Sequence, residues 1–177
     1  VFVHKIAGAA AAAGKSLDEV KAVAQKVVDN VRSMGMACTP CTLPGASCAN
    51  FQLADDEVEI GMGIHGEPGI NRERMTPARD LARKLVDKIL EDYDYSGSEV
   101  ALMVNGLGGT PLMELYIMLH ETKEYLQEKG IGIYKALAGN YMTSLEMAGC
   151  SVTLLKLDDE LRLGLDAPCD TTALKVL

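Results

Sequence analysis

The chain has 177 residues, 48% of them hydrophobic and 24% charged, with a net charge of −8 and a pI near 4.9. That is the composition of a globular chain able to bury a core, and it excludes an intrinsically disordered one. The acidic balance argues against nucleic acid and anionic membranes as partners, and no apolar run approaches the roughly 18 residues of a membrane span.

In chain order, the sequence opens VFVHKIAGAA, without Met and inside an apolar run, and is expected to begin within a longer protein. HKIAGAAAAAG predicts a helix ending near Gly14. SLDE offers a capping box from Ser16 to Glu19. Leu17, Val20, Ala24, Val27, Val31 and Met34 then follow at helical spacing, predicting a helix over 17–34 that stops at Gly35. MACTPCTL, 36–43, reads as an irregular or edge strand because of Pro40. EVEIGMGI, 57–64, alternates and predicts a strand running into a glycine-rich turn. Thr76 as N-cap and Pro77 at the first helical position start a helix over 77–92, with Ala78, Leu81, Leu85 and Ile89 as its stripe.

EVALMVNGL is a continuous apolar run that fits a central strand over 99–105. GLGGTP leads from it into a helix over 112–129, capped by Thr110 and Pro111, with Leu112, Leu115, Tyr116, Leu119 and Leu126 as its buried face. A strand is expected over 131–138 and a short capped helix at TSLE, 143–146. Two further strands, 151–157 and 161–166, are expected to form a hairpin turning at Asp158 and Asp159. The pattern predicts an α/β or α+β fold: a single domain, residues 1–177, with a mixed β-sheet packed by helices.

The five cysteines, 38, 41, 48, 150 and 169, do not form a disulfide framework. CTPC has the spacing of a metal or redox motif but lacks a second ligand pair, so reduced cytosolic thiols and no metal are expected. GLGGTP lacks the lysine of a P-loop and reads as a tight strand–helix turn rather than a nucleotide site. His4 and His120 fall on helices and read as structural.

GMGIHGEPGI, 61–70, is different. His65 sits among glycines at 61, 63, 66 and 69, with Glu67 and Pro68 following. Glycine opens the backbone to positive φ and close approach, and proline stiffens a turn. A neutral imidazole is a nucleophile near pH 7. Glu67 is either an orienter, accepting from Nδ1 and leaving Nε2 free, or a solvated turn carboxylate.

EIGMGIHGEPGI resembles the substrate-histidine segment of the dihydroxyacetone kinases, in their K subunit or K domain. VFVHKIAGAAA, NGLGGTPLMELY, YMTSLEMAGCSVTLLKLDDE and LDAP resemble the same family in the same order, so the likeness spans nearly the whole chain and the C-terminal half of that subunit. The resemblance implies a fragment of a cytoplasmic dihydroxyacetone (glycerone) kinase subunit of glycerol metabolism. In it, His65 is the covalent substrate anchor, bonding through Nε2 to the ketone carbon as a hemiaminal, with Gly63, Gly66, Gly69 and Glu67 around it. It also implies that no cofactor is bound by this chain. ADP or ATP with Mg is expected on an L-type partner subunit or domain, and the intact protein is expected to be a homo-oligomer. The phosphate comes either from phosphoenolpyruvate through an M-type subunit of a phosphotransferase system or directly from ATP. The family also contains dihydroxyacetone-binding regulators of transcription, so a non-catalytic sensor is the alternative. The general base has no counterpart among these residues, and the chain alone is expected to lack turnover.

Overall fold

The computed structural model describes residues 1–64 and 69–177, and these described residues form five helices and eight strands. In chain order these are α1 (Phe2–Ala12), α2 (Leu17–Asn30), β1 (Val31–Ala37), β2 (Glu57–Ile60), β3 (Asn71–Arg74), α3 (Ala78–Asp92) and β4 (Glu99–Gly106). There follow α4 (Leu112–Glu128), β5 (Gly132–Gly139), β6 (Gly149–Lys156), α5 (Asp159–Asp166), β7 (Cys169–Asp170) and β8 (Lys175–Val176). They group into two units, Val1–Val31 with Leu155–Leu177, and Arg32–Leu154.

In the first unit, α1 packs against α2 and α5. Phe2, Ile6 and Ala10, four apart, are its buried stripe. The Ser16–Glu19 capping box forms as read: Ser16 Oγ accepts from the Glu19 amide at 3.4 Å, and Glu19 Oε2 accepts from the Ser16 amide at 2.7 Å. Lys5 is buried, and its ammonium donates to the Gly164 and Ala167 carbonyls at 2.7 and 2.6 Å, satisfying the C-terminal end of α5. β7 and β8 form a short antiparallel ladder.

The second unit is a six-stranded mixed sheet in the order β3-β2-β1-β6-β4-β5. β4 and β5 run parallel, and β1, β2 and β3 pair antiparallel. The continuous apolar run of β4 is buried from Val100 to Gly106, as a central strand requires. Helix α4 packs against α3, β4 and β5. Leu81, Leu85, Ile89, Leu102, Leu126 and Leu154 are among the side chains that fill the core. Among the described residues no helix is long and apolar enough to cross a membrane.

Several expectations are corrected. Residues 161–166 are helix α5 and not the second strand of a hairpin. Leu161, Leu163 and Leu165 alternate, but only Leu161 and Leu165, one helical turn apart, are buried, while Leu163 is 75% exposed. Asp158 is that helix's N-cap, accepting from the Leu161 amide at 2.9 Å. Helix α2 stops at Asn30, and Val31 and Met34 belong to β1, where the chain turns extended. Strand pairing therefore ends at Ala37, and 38–43 continues as irregular chain with the Cys38 and Thr39 amides both donating to the Ala148 carbonyl. TSLE forms no helix, because the Ser144 amide is spent on the Leu107 carbonyl at 2.7 Å and Leu145 takes a left-handed φ of 54°.

Pro77 and Pro111, one residue later than read, are the N-caps of α3 and α4, and neither helix has a side-chain cap. Leu112 and Tyr116 are over half exposed, and Met118, Thr122 and Tyr125 join Leu115 and Leu126 on the buried face of α4. β3, NRER, carries no apolar alternation. It is a charged edge strand in which Arg72 lies opposite Glu59 and pairs with it at 2.9 Å.

Candidate functional site

The segment from Gly61 to Ile70 connects antiparallel β2 and β3, and its two ends are closed tightly. The Ile70 amide donates to the Ile60 carbonyl at 2.7 Å, and the Gly61 amide donates to the Gly35 carbonyl at 2.7 Å. Gly61 takes φ +86°, and a Cβ there would lie 2.7 Å from the Ile70 side chain. A Cβ at Gly69 would lie 2.5 Å from the Ile60 carbonyl oxygen and 2.6 Å from Glu59 Cγ. These two glycines let the strands meet at the neck of the loop. Gly63 is half-buried. His65, Gly66, Glu67 and Pro68 lie outside the described residues, and so do the expectations placed on the first three.

The residues just before His65 are anchored. Met62 is 5% exposed in a cluster with Ala37, Cys41, Leu107 and Met147, and Ile64 and Phe51 pack against it. Leu107 and Met147 come from two segments joined backbone to backbone. Leu107 donates its amide to the Gly149 carbonyl and accepts from the Ser144 amide, while the Gly109 amide donates to the Met147 carbonyl. A Cβ at Gly108 would collide with the Leu145 carbonyl, and one at Gly109 with the Glu146 carbonyl. The glycines of GLGGTP thus serve close backbone packing. Thr110 Oγ1 bridges the Gly149 carbonyl and amide at 2.7 Å each, instead of capping α4. Asn105, which sequence reasoning passed over, holds the backbone of Tyr141 and Met142 through its side-chain amide. Its signal was a lone amide closing an apolar strand.

CTPC does not gather ligands: Cys38 is half-buried, Cys41 is buried and Cys48 exposed, and among the described residues no three His, Cys, Asp or Glu side chains cluster for a metal. Cys38 and Cys150 line a cavity of about 340 Å³ with Met36, Leu81 and Met118. Burial pushes the Cys150 thiol up to about 12, with Cys38 adding to the effect, and burial together with Glu114 raises Cys38. Both are therefore poor thiolate nucleophiles at neutral pH. His4 and His120 are exposed on α1 and α4.

Residues 1–173 match the Dak1 domain. The chain belongs to the Dak1 family. This Dak1 chain is homologous to dihydroxyacetone-binding DhaK subunits over nearly its whole length. It is 49% identical to the dihydroxyacetone-binding subunit DhaK of a PTS-dependent dihydroxyacetone kinase from Listeria innocua, over 98% of this chain and 53% of that protein. It thus spans about half the length of that relative. Among solved structures, the dihydroxyacetone kinase of C. freundii in complex with AMP-PNP and Mg²⁺ is 31% identical, with a TM-score of 0.89 over 99% of this chain and 32% of that one. The dihydroxyacetone kinase operon co-activator DhaQ is 35% identical, with a TM-score of 0.89 over 94% of this chain and 52% of that one.

Proposed function

We propose that this Dak1 chain forms the histidine-bearing part of a dihydroxyacetone-binding kinase subunit, with His65 as the covalent anchor. The observation that carries the reading is the likeness, along 98% of the chain, to a subunit that binds dihydroxyacetone. The glycine-closed neck at Gly61 and Gly69 and the buried Met62 support it, because they fix both ends of the segment that holds the histidine.

The chemistry is an addition. His65 Nε2 bonds to C2 of dihydroxyacetone, the carbonyl oxygen takes a proton and becomes a hydroxyl, and Nδ1 gives up its proton. Nothing leaves. Before the bond forms, Glu67 accepts from the Nδ1–H and steadies the ring. Glycerol offers no carbonyl carbon, so selection rests on bond formation, which exceeds what shape and hydrogen bonds alone achieve. The bond also holds a terminal hydroxyl for in-line transfer. ATP with Mg, held by an L-type partner subunit or domain, would supply the phosphoryl group, and ADP held there would first receive one from phosphoenolpyruvate through an M-type subunit. The intact subunit is a homo-oligomer.

In the intact subunit, His65→Ala is expected to abolish retention of dihydroxyacetone and to cut phosphorylation by about 10²-fold or more. Thermal stability should change little, and Glu67→Gln should be milder. Retention and turnover unchanged in His65→Ala would contradict the role. The likeness to the co-activator DhaQ favours a second reading, a dihydroxyacetone sensor. A sensor retains the ligand through His65 and yields no phosphorylated product with any kinase partner.

A further inference from the structure

We propose that Asn105 is a positioning residue for the His65 segment, acting through the 140–149 stretch rather than on substrate. The proposal rests on the reading of His65 given above. Asn105 is 2% exposed near the end of β4. Its side-chain amide is fully used. Oδ1 accepts from the Tyr141 and Met142 amides at 2.9 and 2.8 Å, and Nδ2 donates to the Met142 carbonyl at 2.8 Å and to Ser151 Oγ at 3.4 Å. Two acceptor positions and two N–H groups exhaust what an asparagine side chain offers, so none remains for a ligand.

Three of the four bonds hold residues 141 and 142, which lie between β5 and β6 in chain without helix or strand. Such backbone needs side-chain partners for its amides, and an apolar residue at 105 would leave them unmet. The stretch they begin delivers Met147, fully buried, beside Leu107 at 1% exposed. Met62 and Ile64 pack in this same cluster, three and one residues before His65. The path therefore runs from Asn105 by hydrogen bonds to Met142, along the backbone to Met147, and by packing to Met62. A covalent anchor acts only where its nitrogen is held in a productive geometry, so a loosened seat costs binding and turnover before it costs the fold.

The test uses the intact subunit and dihydroxyacetone labelled with ¹³C at C2. A wild-type protein without a bound sp³ C2 resonance would overturn the His65 reading and this inference with it. Where the wild type shows that resonance, Asn105→Ala is expected to lower dihydroxyacetone affinity by about tenfold or more in the folded protein, through misplacement of the reacting nitrogen. Met62→Ala should do the same, and the double variant should lose no more than the worse single variant, since both act along one path. Asn105→Asp keeps both accepting contacts but sets an oxygen in place of an N–H against the Met142 carbonyl, and is expected to lose affinity as well. Where the alanine variant does not fold, the aspartate variant takes its place in the same cycle with Met62→Ala. Asn105 variants that melt earlier yet bind as tightly as wild type, or losses that simply add in the double variant, would overturn the inference.

Discussion

Alanine at Gly69 has nowhere to place its methyl group: 2.5 Å away stands the Ile60 carbonyl oxygen, a backbone atom that cannot turn aside. Gly8, inside α1, is the opposite case, with nothing within 4 Å of a Cβ built on it. Gly69→Ala is expected to destabilise by about 1–3 kcal/mol through overpacking at the neck. Gly8→Ala should stabilise by about 0.5–1 kcal/mol, because it removes unfolded-state freedom from a helix interior. Urea midpoints measure both, and equal effects of the two substitutions would contradict the neck. The density of glycines in 61–70 was legible as a geometric demand. Which glycines meet it was not, since the close approach of Ile60 and Ile70 depends on strand register. Asn105 was equally hidden, because its partners lie 36 and 37 residues away.

Helix α5 shows what local pattern leaves undecided. LRLGL alternates like a strand, and the buried pair Leu161 and Leu165 becomes visible only once Asp158 is seen to cap a helix. An aspartate before an acidic turn suits a helix start as well as the hairpin turn read there. Asp158 and Glu160 also pair with Lys26, and Glu160 with Lys15 at 2.9 Å. Burial pulls the Asp158 carboxyl upward, but Lys26 and the Leu161 amide outweigh it and leave it below its ordinary 3.8. Lys26 and then Lys15 hold Glu160 below 4.5. Both values fall on folding, so the unfolded chain takes up protons first as pH drops. The stabilisation is complete above the unfolded values and is lost as pH falls through the folded ones. Wild type is therefore expected to lose stability more steeply between about pH 5 and pH 3 than an Asp158→Asn, Glu160→Gln double variant. Raised salt should narrow the difference. Identical urea midpoints against pH in the two proteins would show that the network contributes nothing.

At the scale of the molecule, the mixed sheet was readable because β4 announces itself as a central strand and the α3 and α4 stripes have clear helical periods. The edge strand β3 was not, since NRER owes its place to pairing with β2 and to the Arg72–Glu59 pair rather than to any apolar pattern. The fold thus supports a loop whose neck is set by backbone contacts and whose first residues are seated in an apolar cluster. On the proposed reading, the reactive side chain is that of His65, which follows these residues in the sequence. The most direct measurement is ¹³C NMR of C2-labelled dihydroxyacetone bound to the intact wild-type subunit. The expected result is a C2 resonance moved out of the carbonyl region to that of an sp³ carbon, and missing in His65→Ala. Ligand that binds the wild-type protein with C2 still a free carbonyl would contradict the account.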